Sequence, residues 1–542
     1  MKRELFLGII LCAAISTKAG GFLTNTNQSA LFLRNPAIDA YLGSIENAYS
    51  NPAGTVFLKP GFHVAVNILN AKQQRIIDSE FGPFMSGQQN NGESIQHYVG
   101  KSYAPAIPSV DFGYNTEKWA VSLHAGITGG GGKCEFDRGL GSFEASASLL
   151  PMLGSEIGIE SYDIDTYMRG RQYYYGVQAG AAYKIKPNLS IYGGLRLVYA
   201  TTNYYGYIRN ISIGTANGTV VASDFFSSLH DQAIGGAAQY QAAADQCRGA
   251  AAQYTAIGDA ATAAAYTAQA TQYQASADEY TAKAAEMTQL ANATQDVTLN
   301  CDQSGVGFTP IIGIDWKINN QWNLAAKYEF KTRMRLKNKA SNSASCDNLA
   351  TLSMFYDGKI IPEDIPALLT LGVQYTPIKQ LRLAAGFHFY DDKNATKHND
   401  TQKLLSRGTT EYLASIEYDF SKNITASAGW QNTSYGLTDA YMSDISFITS
   451  SNSIGFGVRV NLTERCHLDI SYFHTFYNTY HRSSNDYNNV SNVARMVLGD
   501  ERVNEMMHEM PTDASGDVLP FFGSDTFTRK NRVFGAGISF DF

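Results

Sequence analysis

The 542-residue sequence has few charged residues and few prolines. Charged side chains make up 17% of the chain, below the roughly 25% that is usual in soluble domains. Lys and Arg total 42 against 49 Asp and Glu, giving a net charge of −7, which argues against a nucleic-acid-binding protein. Only 14 prolines occur, and no Pro- or Ser-rich linker divides the sequence. One large architecture is therefore favoured over a series of small domains.

Long hydrophobic runs are also missing. Beyond the N-terminus no segment approaches the roughly 18 consecutive apolar residues of a transmembrane helix, in keeping with a mean hydropathy of −0.21. If the protein lies in a membrane, it must cross as strands. The exception is the start: Lys2 and Arg3 precede an apolar run and a small-residue site at Ala19, which predicts a secretory signal peptide over residues 1–19.

Signals for metal or catalytic sites are absent. No cysteine stands in a CxxC motif or in a Cys/His cluster with metal-ligand spacing, so neither a metal nor another cofactor is expected. Pairing of Cys247 with Cys301 is left open. The sequence has no GxSxG elbow and no HExxH pair, and its 10 histidines are scattered, which argues against an enzyme.

The sequence is rich in aromatic residues, which make up 12% of the chain. It also shows alternation of apolar and polar residues with a period of two. Residues 322–331 place Trp, Leu, Ala, Tyr and Phe on one face and mostly polar residues on the other, and the last segment alternates in the same way up to Phe542. Segments of about ten residues suit strands that cross a bilayer. Fourteen are predicted: 62–68, 110–114, 119–127, 173–183, 189–201, 307–317, 322–331, 370–375, 381–390, 411–420, 424–430, 453–460, 466–476 and 532–542.

The connections between these segments alternate in length. Tight turns such as 115–118 and 318–321 are followed by long polar loops such as 71–108, 128–172 and 477–531. Short turns on one side and long loops on the other are typical of outer-membrane barrels. The fold class predicted is an all-β membrane protein, a 14-stranded antiparallel transmembrane β-barrel over residues 61–542. A soluble sandwich or propeller is the alternative, and the alternating loop lengths and the aromatic content argue against it.

One loop carries a large insert between Leu229 and Thr298 that is rich in Ala and Gln. Tyr266, Tyr273 and Tyr280 recur at seven-residue steps, and Gly258-Asp259 divides the insert into two halves. This pattern predicts an extracellular helical hairpin packed through Ala and Tyr. A solvated spacer and a docking site for a surface partner are both open as its role.

The segment 20–60, which precedes the first predicted strand, has a different pattern. Asn35-Pro36-Ala37 and Asn51-Pro52-Ala53 each combine an Asn cap with a Pro suited to a first helical turn, so both are predicted to open short helices. Short helices beside the mouth of a barrel are expected to fold inward. The segment is therefore predicted to plug the lumen as a hatch.

With these motifs the sequence resembles the FadL-type family of outer-membrane transporters for long-chain fatty acids and other hydrophobic compounds, including toluene. The resemblance rests on residues 20–54 with Asn51-Pro52-Ala53, on 119–126, 307–328 and 366–391, and on the closing Phe542. It implies a fourteen-stranded barrel with an N-terminal hatch, capture of substrate outside, and sideways release at a kinked third strand. Asn51, Pro52 and Ala53 would then shape and move the hatch. The extra Asn35-Pro36 motif and the helical insert depart from the family pattern.

Two sets of residues are candidates for contact with an apolar substrate or for its exit. Phe22 and Leu23 are predicted either to line a pocket beneath the hatch or to anchor the segment. Gly126, Gly129 and Gly130 lie at the end of the third strand, where missing side chains permit a bend and unpaired backbone. They are assigned to a lateral exit, with an ordinary flexible loop as the alternative.

Three arginines, Arg196, Arg382 and Arg459, are predicted to face the lumen. An inward arginine can hold a carboxylate through two hydrogen bonds, so all three are candidate ligand-binding residues. The alternative is that they pair with inward acids, such as Glu329, Glu417 and Asp469.

The function predicted is passive uptake of hydrophobic, long-chain fatty acid-like molecules across the outer membrane of a Gram-negative bacterium, because no nucleotide-binding or energy-coupling motif occurs. The expected partners are the apolar substrate and outer-membrane lipid, without nucleic acid. The alternatives are a barrel-anchored adhesin or receptor that uses the helical hairpin, and a general porin. Substrate identity and oligomeric state are left open.

Overall fold

The computed structural model describes residues 29–347, 350–509 and 521–542. The predicted signal peptide and the candidates Phe22 and Leu23 lie outside these residues. Fourteen strands pair antiparallel with their neighbours and close into a barrel. They are β1 (Gly61–Phe81), β2 (Ile95–Asn115), β3 (Trp119–Phe136), β4 (Ile159–Lys186), β5 (Leu189–Thr215), β6 (Val297–Lys317), β7 (Trp322–Glu329), β8 (Leu368–Ile378), β9 (Leu381–Tyr390), β10 (Thr409–Asp419), β11 (Ile424–Ser434), β12 (Ser451–Asn461), β13 (Cys466–Tyr477) and β14 (Gly523–Asp541).

Short strands and helices decorate this barrel. Four short strands extend its rim: Gly218–Val221, Arg335–Ala340, Ile360–Pro362 and Tyr480–Ser484. The α-helices are α1 (Ala30–Arg34), α2 (Asn47–Ser50), α3 (Gly141–Ala145), α4 (Leu150–Leu153), α5 (Ala222–Ala256), α6 (Ala260–Ala293), α7 (Ala344–Asp347) and α8 (Val490–Glu509). The 3-10 helices are Pro52–Phe57, Gly82–Ser86, Ala147–Leu149, Ser155–Ile157, Ala350–Phe355, Asp392–Asn394, His398–Leu404 and Tyr487–Asn489.

The barrel closes where β1 pairs with β14. This pairing runs without a register break from His63 opposite Asp541 to Phe81 opposite Gly523. On its other side β1 pairs with β2. Because β1 has a partner on both sides, the sheet has no free edge that would expose a whole row of unpaired backbone groups to lipid.

The two faces of the strands differ as the alternation predicts. On β7, Trp322 is 40% exposed on the outer face and Asn323 is 5% exposed on the inner face. Large apolar side chains stay exposed around the outer wall, including Val66, Leu195 and Phe456. A continuous apolar belt on a closed barrel is the surface that lipid covers. The prediction of a membrane-spanning barrel is thereby confirmed.

In the described part of the chain, no helix has the length and the apolar character needed to cross a membrane.

All fourteen predicted segments are strands, but several strands are longer than predicted. β1 continues to Phe81 and β2 begins at Ile95, so most of the predicted loop 71–108 is paired sheet. The outward residues of this extension include Lys72 and Gln74. Apolar alternation therefore stops at the edge of the lipid belt, whereas the backbone hydrogen bonds continue beyond it.

The long loops fold together over one end of the barrel. Phe81 contacts Phe84 with ring centroids 5.4 Å apart and Tyr487 at 5.0 Å, and Phe447 contacts Phe527 at 4.9 Å. These rings belong to one buried apolar cluster with residues from the other long loops. The long-loop end therefore has its own core, which holds the connections in place.

The insert is the predicted helical hairpin, built from α5 and α6. It begins at Ala222, before the predicted start, and α6 ends at Ala293, so that Val297 and Thr298 belong to β6. Seven-residue repeats of buried alanine form the seam between the helices: Ala237, Ala244 and Ala251 on α5, and Ala263, Ala270, Ala277 and Ala284 on α6. Cys247 and Cys301 are free thiols, as are the other described cysteines.

The hairpin is expected to be dispensable for folding of the barrel. Phe226 and Leu290, at its base, belong to the core of the long-loop end, whereas the rest of the hairpin packs mainly on itself. His230 Nδ1 lies 3.0 Å from Ala284 O, so a four-residue Gly/Ser linker can replace residues 231–283. We predict that the shortened chain keeps the heat-modifiable mobility of a folded barrel on a denaturing gel. Loss of that mobility would contradict this assignment.

Candidate functional site

The interior of the barrel is occupied by residues 29–60, here called the lumen segment. α1 contacts β12, β13 and β14, and the 3-10 helix Pro52–Phe57 contacts β3, β4, β5 and β6. Ser29 caps α1, because its Oγ accepts a hydrogen bond from the Phe32 N–H at 3.1 Å. Asn51 caps the 3-10 helix in the same way, accepting from the Gly54 N–H at 3.2 Å.

The two Asn-Pro motifs have different roles. Asn51-Pro52 opens a helix, as predicted, with Pro52 in its first turn. The prediction for Asn35-Pro36 is wrong, because Asn35 ends α1: its N–H donates to Leu31 O and Phe32 O. Pro36 then follows a finished helix instead of starting one. Proline is common just after a helix end because it cannot continue the helix.

Glycines in the wall give the lumen segment room to approach. A Cβ added at Gly455 on β12 would lie 2.0 Å from Leu33 O, and one added at Gly429 on β11 would lie 2.4 Å from Pro36 Cδ. At Gly455 any side chain would displace the backbone of the segment, and at Gly429 it would displace the Pro36 ring. The absence of side chains at these two wall positions therefore lets the segment lie close against the strands.

A buried charge network holds α1. Arg34 is 0% exposed, donates from Nε to Asp469 Oδ1 at 2.7 Å, and also pairs with Glu417. Asp469 accepts from Arg459 Nη2 at 2.7 Å, and Glu417 accepts from Arg382 Nε at 2.6 Å. Three guanidinium groups thus share two carboxylates at the centre of the contact between segment and wall. Charge-assisted hydrogen bonds of this kind are short and directional.

A second network holds α2. Arg196 donates to Glu329 Oε2 at 2.6 Å, and its Cζ lies 4.4 Å from the ring centroid of Tyr49. Lys327 Nζ also pairs with Glu329, at 2.7 Å, and donates to Tyr49 O at 2.9 Å. Gln178 on β4 donates to Ala48 O at 2.8 Å. The wall thus contacts both the aromatic ring and the backbone of the segment.

Asn51 and Asp39 extend these contacts to other strands. Asn51 Nδ2 donates to Asp315 Oδ2 on β6 at 2.6 Å. Asp39 pairs with His388 Nε2 at 3.1 Å, and Nδ1 of the same ring lies 2.9 Å from Glu411 Oε2. These contacts involve strands from several parts of the barrel. They therefore hold the lumen segment from several directions.

The three arginines predicted to face the lumen do so, and each pairs with an inward acid. Arg196 pairs with Glu329, Arg382 with Glu417 and Arg459 with Asp469. These are the acids named as partners in the alternative prediction. Their guanidinium groups brace the wall and the lumen segment. Contact with a ligand stays a prediction for all three.

The wall has a gap beside the predicted kink. β2 and β3 pair from Asn115 opposite Ala120 to Ser109 opposite Gly126, and pairing resumes only at Lys101 opposite Glu135. The β3–β4 register shifts at Gly129 and again before Gly132. Gly130 has φ +104°, a conformation that disfavours any residue with a Cβ. The kink therefore follows Gly126 and centres on Gly129 to Gly132.

A cavity of about 220 Å³ lies next to this gap. Ile107 on β2 and Gly129 to Gly132 on β3 form one side of it, and Tyr477 and Arg529 belong to another. Phe473 also lines the cavity and contacts Phe32 of α1, with ring centroids 6.2 Å apart. The cavity therefore lies above the lumen segment, which it meets through Phe473, and it borders the unpaired stretch of wall. Much of the remaining lining is polar, with side chains such as Gln73, Gln431 and Thr475.

A smaller apolar pocket of about 40 Å³ lies at the long-loop end. It is lined mainly by aromatic and aliphatic side chains, among them Phe143, Met168, Tyr204 and Phe355. Such a lining binds apolar groups in preference to polar ones.

Sequence reasoning missed two residues of the main cavity, Arg75 and Arg529. Both lie in segments predicted as loops, 71–108 and 477–531. Alternation along the strand could have shown that Arg75 faces the lumen. Leu69 faces inward on β1, and Arg75 lies an even number of positions later on the same unbroken strand, so its side chain faces inward as well.

Structural comparison finds this fold in known transport proteins. A Pseudomonas aeruginosa FadL homologue aligns over 96% of this chain and 100% of its own, with 13% identity and a TM-score of 0.56. The Pseudomonas putida toluene transporter TodX aligns over 96% and 100%, with 12% identity and a TM-score of 0.51. No family model matches the chain, and no curated protein matches it. The predicted FadL-type resemblance is therefore confirmed at the level of the fold.

Arg34 is expected to be the main anchor of the lumen segment. We predict that Arg34→Met lowers the free energy of unfolding by about 3 kcal/mol, because it leaves buried carboxylates with one partner fewer. Urea unfolding followed by tryptophan fluorescence measures this. The matched control is Arg248→Met on α5, whose ion pair with Asp245 is exposed and worth about 0–1 kcal/mol. Equal losses in the two variants would refute the role of Arg34.

Asn51 provides a test of the contact between the lumen segment and β6. We predict that Asn51→Asp loosens the segment more than Asn51→Ala does, because it sets a second carboxylate against Asp315. Single-channel conductance in planar bilayers is expected to rise in the order wild type, alanine variant, aspartate variant. An aspartate variant that stays as closed as wild type would contradict the assignment.

Proposed function

We propose that this chain is an outer-membrane channel for passive uptake of hydrophobic small molecules, in particular long-chain fatty acid-like ones. The observation that carries the proposal is the cavity above the lumen segment, which borders the unpaired stretch between β2 and β3. A general porin would need an open aqueous path, whereas here residues 29–60 fill the lumen. The fold shared with the FadL homologue and with the toluene transporter supports the same function.

In this proposal the lumen segment acts as a hatch. Its hold on the wall combines apolar packing of α1 and of the 3-10 helix with hydrogen bonds and ion pairs made by Arg34, Asp39, Tyr49 and Asn51. Polar contacts are directional, so a small displacement breaks several together. Asn51, Pro52 and Ala53 lie where the 3-10 helix begins, and Asn35 and Pro36 lie where α1 has ended. They are the proposed gating residues, and Phe22 and Leu23 are proposed to line the path beneath them.

Release is proposed to occur sideways through the gap at Gly126, Gly129 and Gly130. In this proposal the gap opens to the lipid that surrounds the barrel. An alkyl chain that passes from the cavity into lipid avoids water, and each methylene kept from water is worth about 0.8 kcal/mol. The apolar pocket at the long-loop end, around Tyr204 and Phe355, is the proposed point of first capture.

The bulge at Gly130 tests lateral release. Gly130→Ala adds a Cβ that would lie 2.3 Å from Gln172 O, at a φ that alanine adopts with strain. We predict that cells carrying this variant take up labelled hexadecanoate at least fivefold more slowly than wild type, with the barrel folded. Gly193→Ala is the matched control, because its Cβ meets open space. Uptake at the wild-type rate in the Gly130 variant would rule out this exit.

Native mass spectrometry of the purified barrel tests the wider proposal. An apolar molecule is expected to co-purify with wild type and to be lost when residues 20–54 are deleted. A ligand-free barrel that conducts ions freely would instead support the porin. The chain with residues 231–283 replaced separates transport from adhesion, because uptake is expected to persist in it, whereas an adhesin would lose partner binding.

A further inference from the structure

Two arginines lie directly opposite each other on the inner wall. Arg75 on β1 and Arg529 on β14 are register partners, and both line the cavity above the lumen segment. Like charges directly opposite on paired strands destabilise a sheet. The pair therefore costs stability unless another group offsets its charge.

Within the described part of the chain, neither arginine has a carboxylate partner. The buried Nε atoms of both donate to no described atom. Arg75 Cζ lies 5.8 Å from the ring centroid of Phe447, and Arg529 Cζ lies 4.8 Å from that of Tyr477. By contrast, the arginines that brace the lumen segment, Arg34 among them, all have acid partners. Aromatic faces orient these two guanidinium groups without neutralising them.

Arg75 also reaches the gap in the wall. Its Nη2 lies 3.3 Å from the position that a Cβ at Gly131 would take. Gly131 belongs to the β3 bulge, next to Gly130. The absence of a side chain at this point gives the guanidinium its room, so the charged side of the cavity and the unpaired wall adjoin each other.

We propose that Arg75 and Arg529 form an oxyanion subsite that holds the head group of an anionic amphiphile while its apolar chain lies towards the β2–β3 gap. Two forked donors side by side match the oxygens of one carboxylate or phosphate group. The inference rests on the proposed function, since it names the class of cargo that the same cavity takes. It assigns the cavity to charged amphiphiles over neutral hydrocarbons.

The test compares three probes of equal chain length on the purified full-length chain: radiolabelled hexadecanoate, hexadecyl phosphate and hexadecanol. Binding is measured by co-elution on gel-filtration columns at a fixed detergent concentration. Wild type is expected to bind both anions at least tenfold more tightly than the alcohol. Arg75→Gln and Arg529→Gln are each expected to weaken anion binding about tenfold and to leave hexadecanol within about twofold of wild type.

Two controls separate loss of the site from loss of the fold. Hexadecanol binding reports an intact cavity in every variant, and the Arg75→Lys/Arg529→Lys double variant keeps the charge and is expected to recover part of the anion affinity. Arg532→Gln, on the outer face of β14, is the matched surface change. It is expected to alter neither anion binding nor hexadecanol binding. Because like charges are removed, the glutamine variants are also expected to unfold at no lower temperature than wild type.

The outcomes are distinguishable. Equal binding of hexadecanoate and hexadecanol by wild type, or anion affinity unchanged in both glutamine variants, would overturn the oxyanion subsite and leave uptake of neutral molecules intact. Failure of all three probes to bind wild type would contradict the proposed function itself, and the subsite with it. Preference for the phosphate over the carboxylate would assign the head group within the same site.

Discussion

The pairing of β1 with β14 is the contact on which the rest of this structure depends. Lipid offers no hydrogen-bond partner to a free strand edge, so the sheet must close before it can span a bilayer. Once His63 lies opposite Asp541 and Phe81 opposite Gly523, the parity of each strand is set. A residue either contacts lipid or faces the lumen, and a shift of one position would reverse every such assignment.

Closure then sets a second constraint, because the lumen is lined by polar residues yet filled with protein. A segment placed there must satisfy the groups it buries. Arg34 does so through ion pairs with Glu417 and Asp469, and Tyr49 does so by placing its ring against the cationic groups of Arg196 and Lys327. Buried ion pairs add little net stability compared with apolar packing, but they penalise any misplaced partner. The polar contacts thus position the lumen segment, and apolar residues such as Leu31 and Val56 pack it against the wall.

The sequence predicts the barrel and its strands. It fails where strand pairing continues without apolar alternation. Alternation located all fourteen strands because the lipid belt makes outward residues such as Trp322 apolar. Past the belt the outward residues become polar, as at Lys72 on β1. The part of β1 that continues to Phe81 therefore shows no apolar alternation in the sequence. The role of Asn35 was misjudged for another reason: an Asn before a Pro fits the end of one helix as well as the start of the next, and α1 decides between them.

Because of the same loss of signal, the sequence does not predict the cavity. Arg75 and Arg529 lie on strand extensions, and their meeting depends on the β1–β14 register, which joins the two ends of the barrel sequence. Two costs coincide there: backbone groups left unpaired between β2 and β3, and like charges set opposite each other on β1 and β14. β1 is the strand that connects them, since it pairs with both β14 and β2. The proposed anionic amphiphile would address both departures, because its head group would offset the like charges and its apolar chain would lie along the unpaired wall.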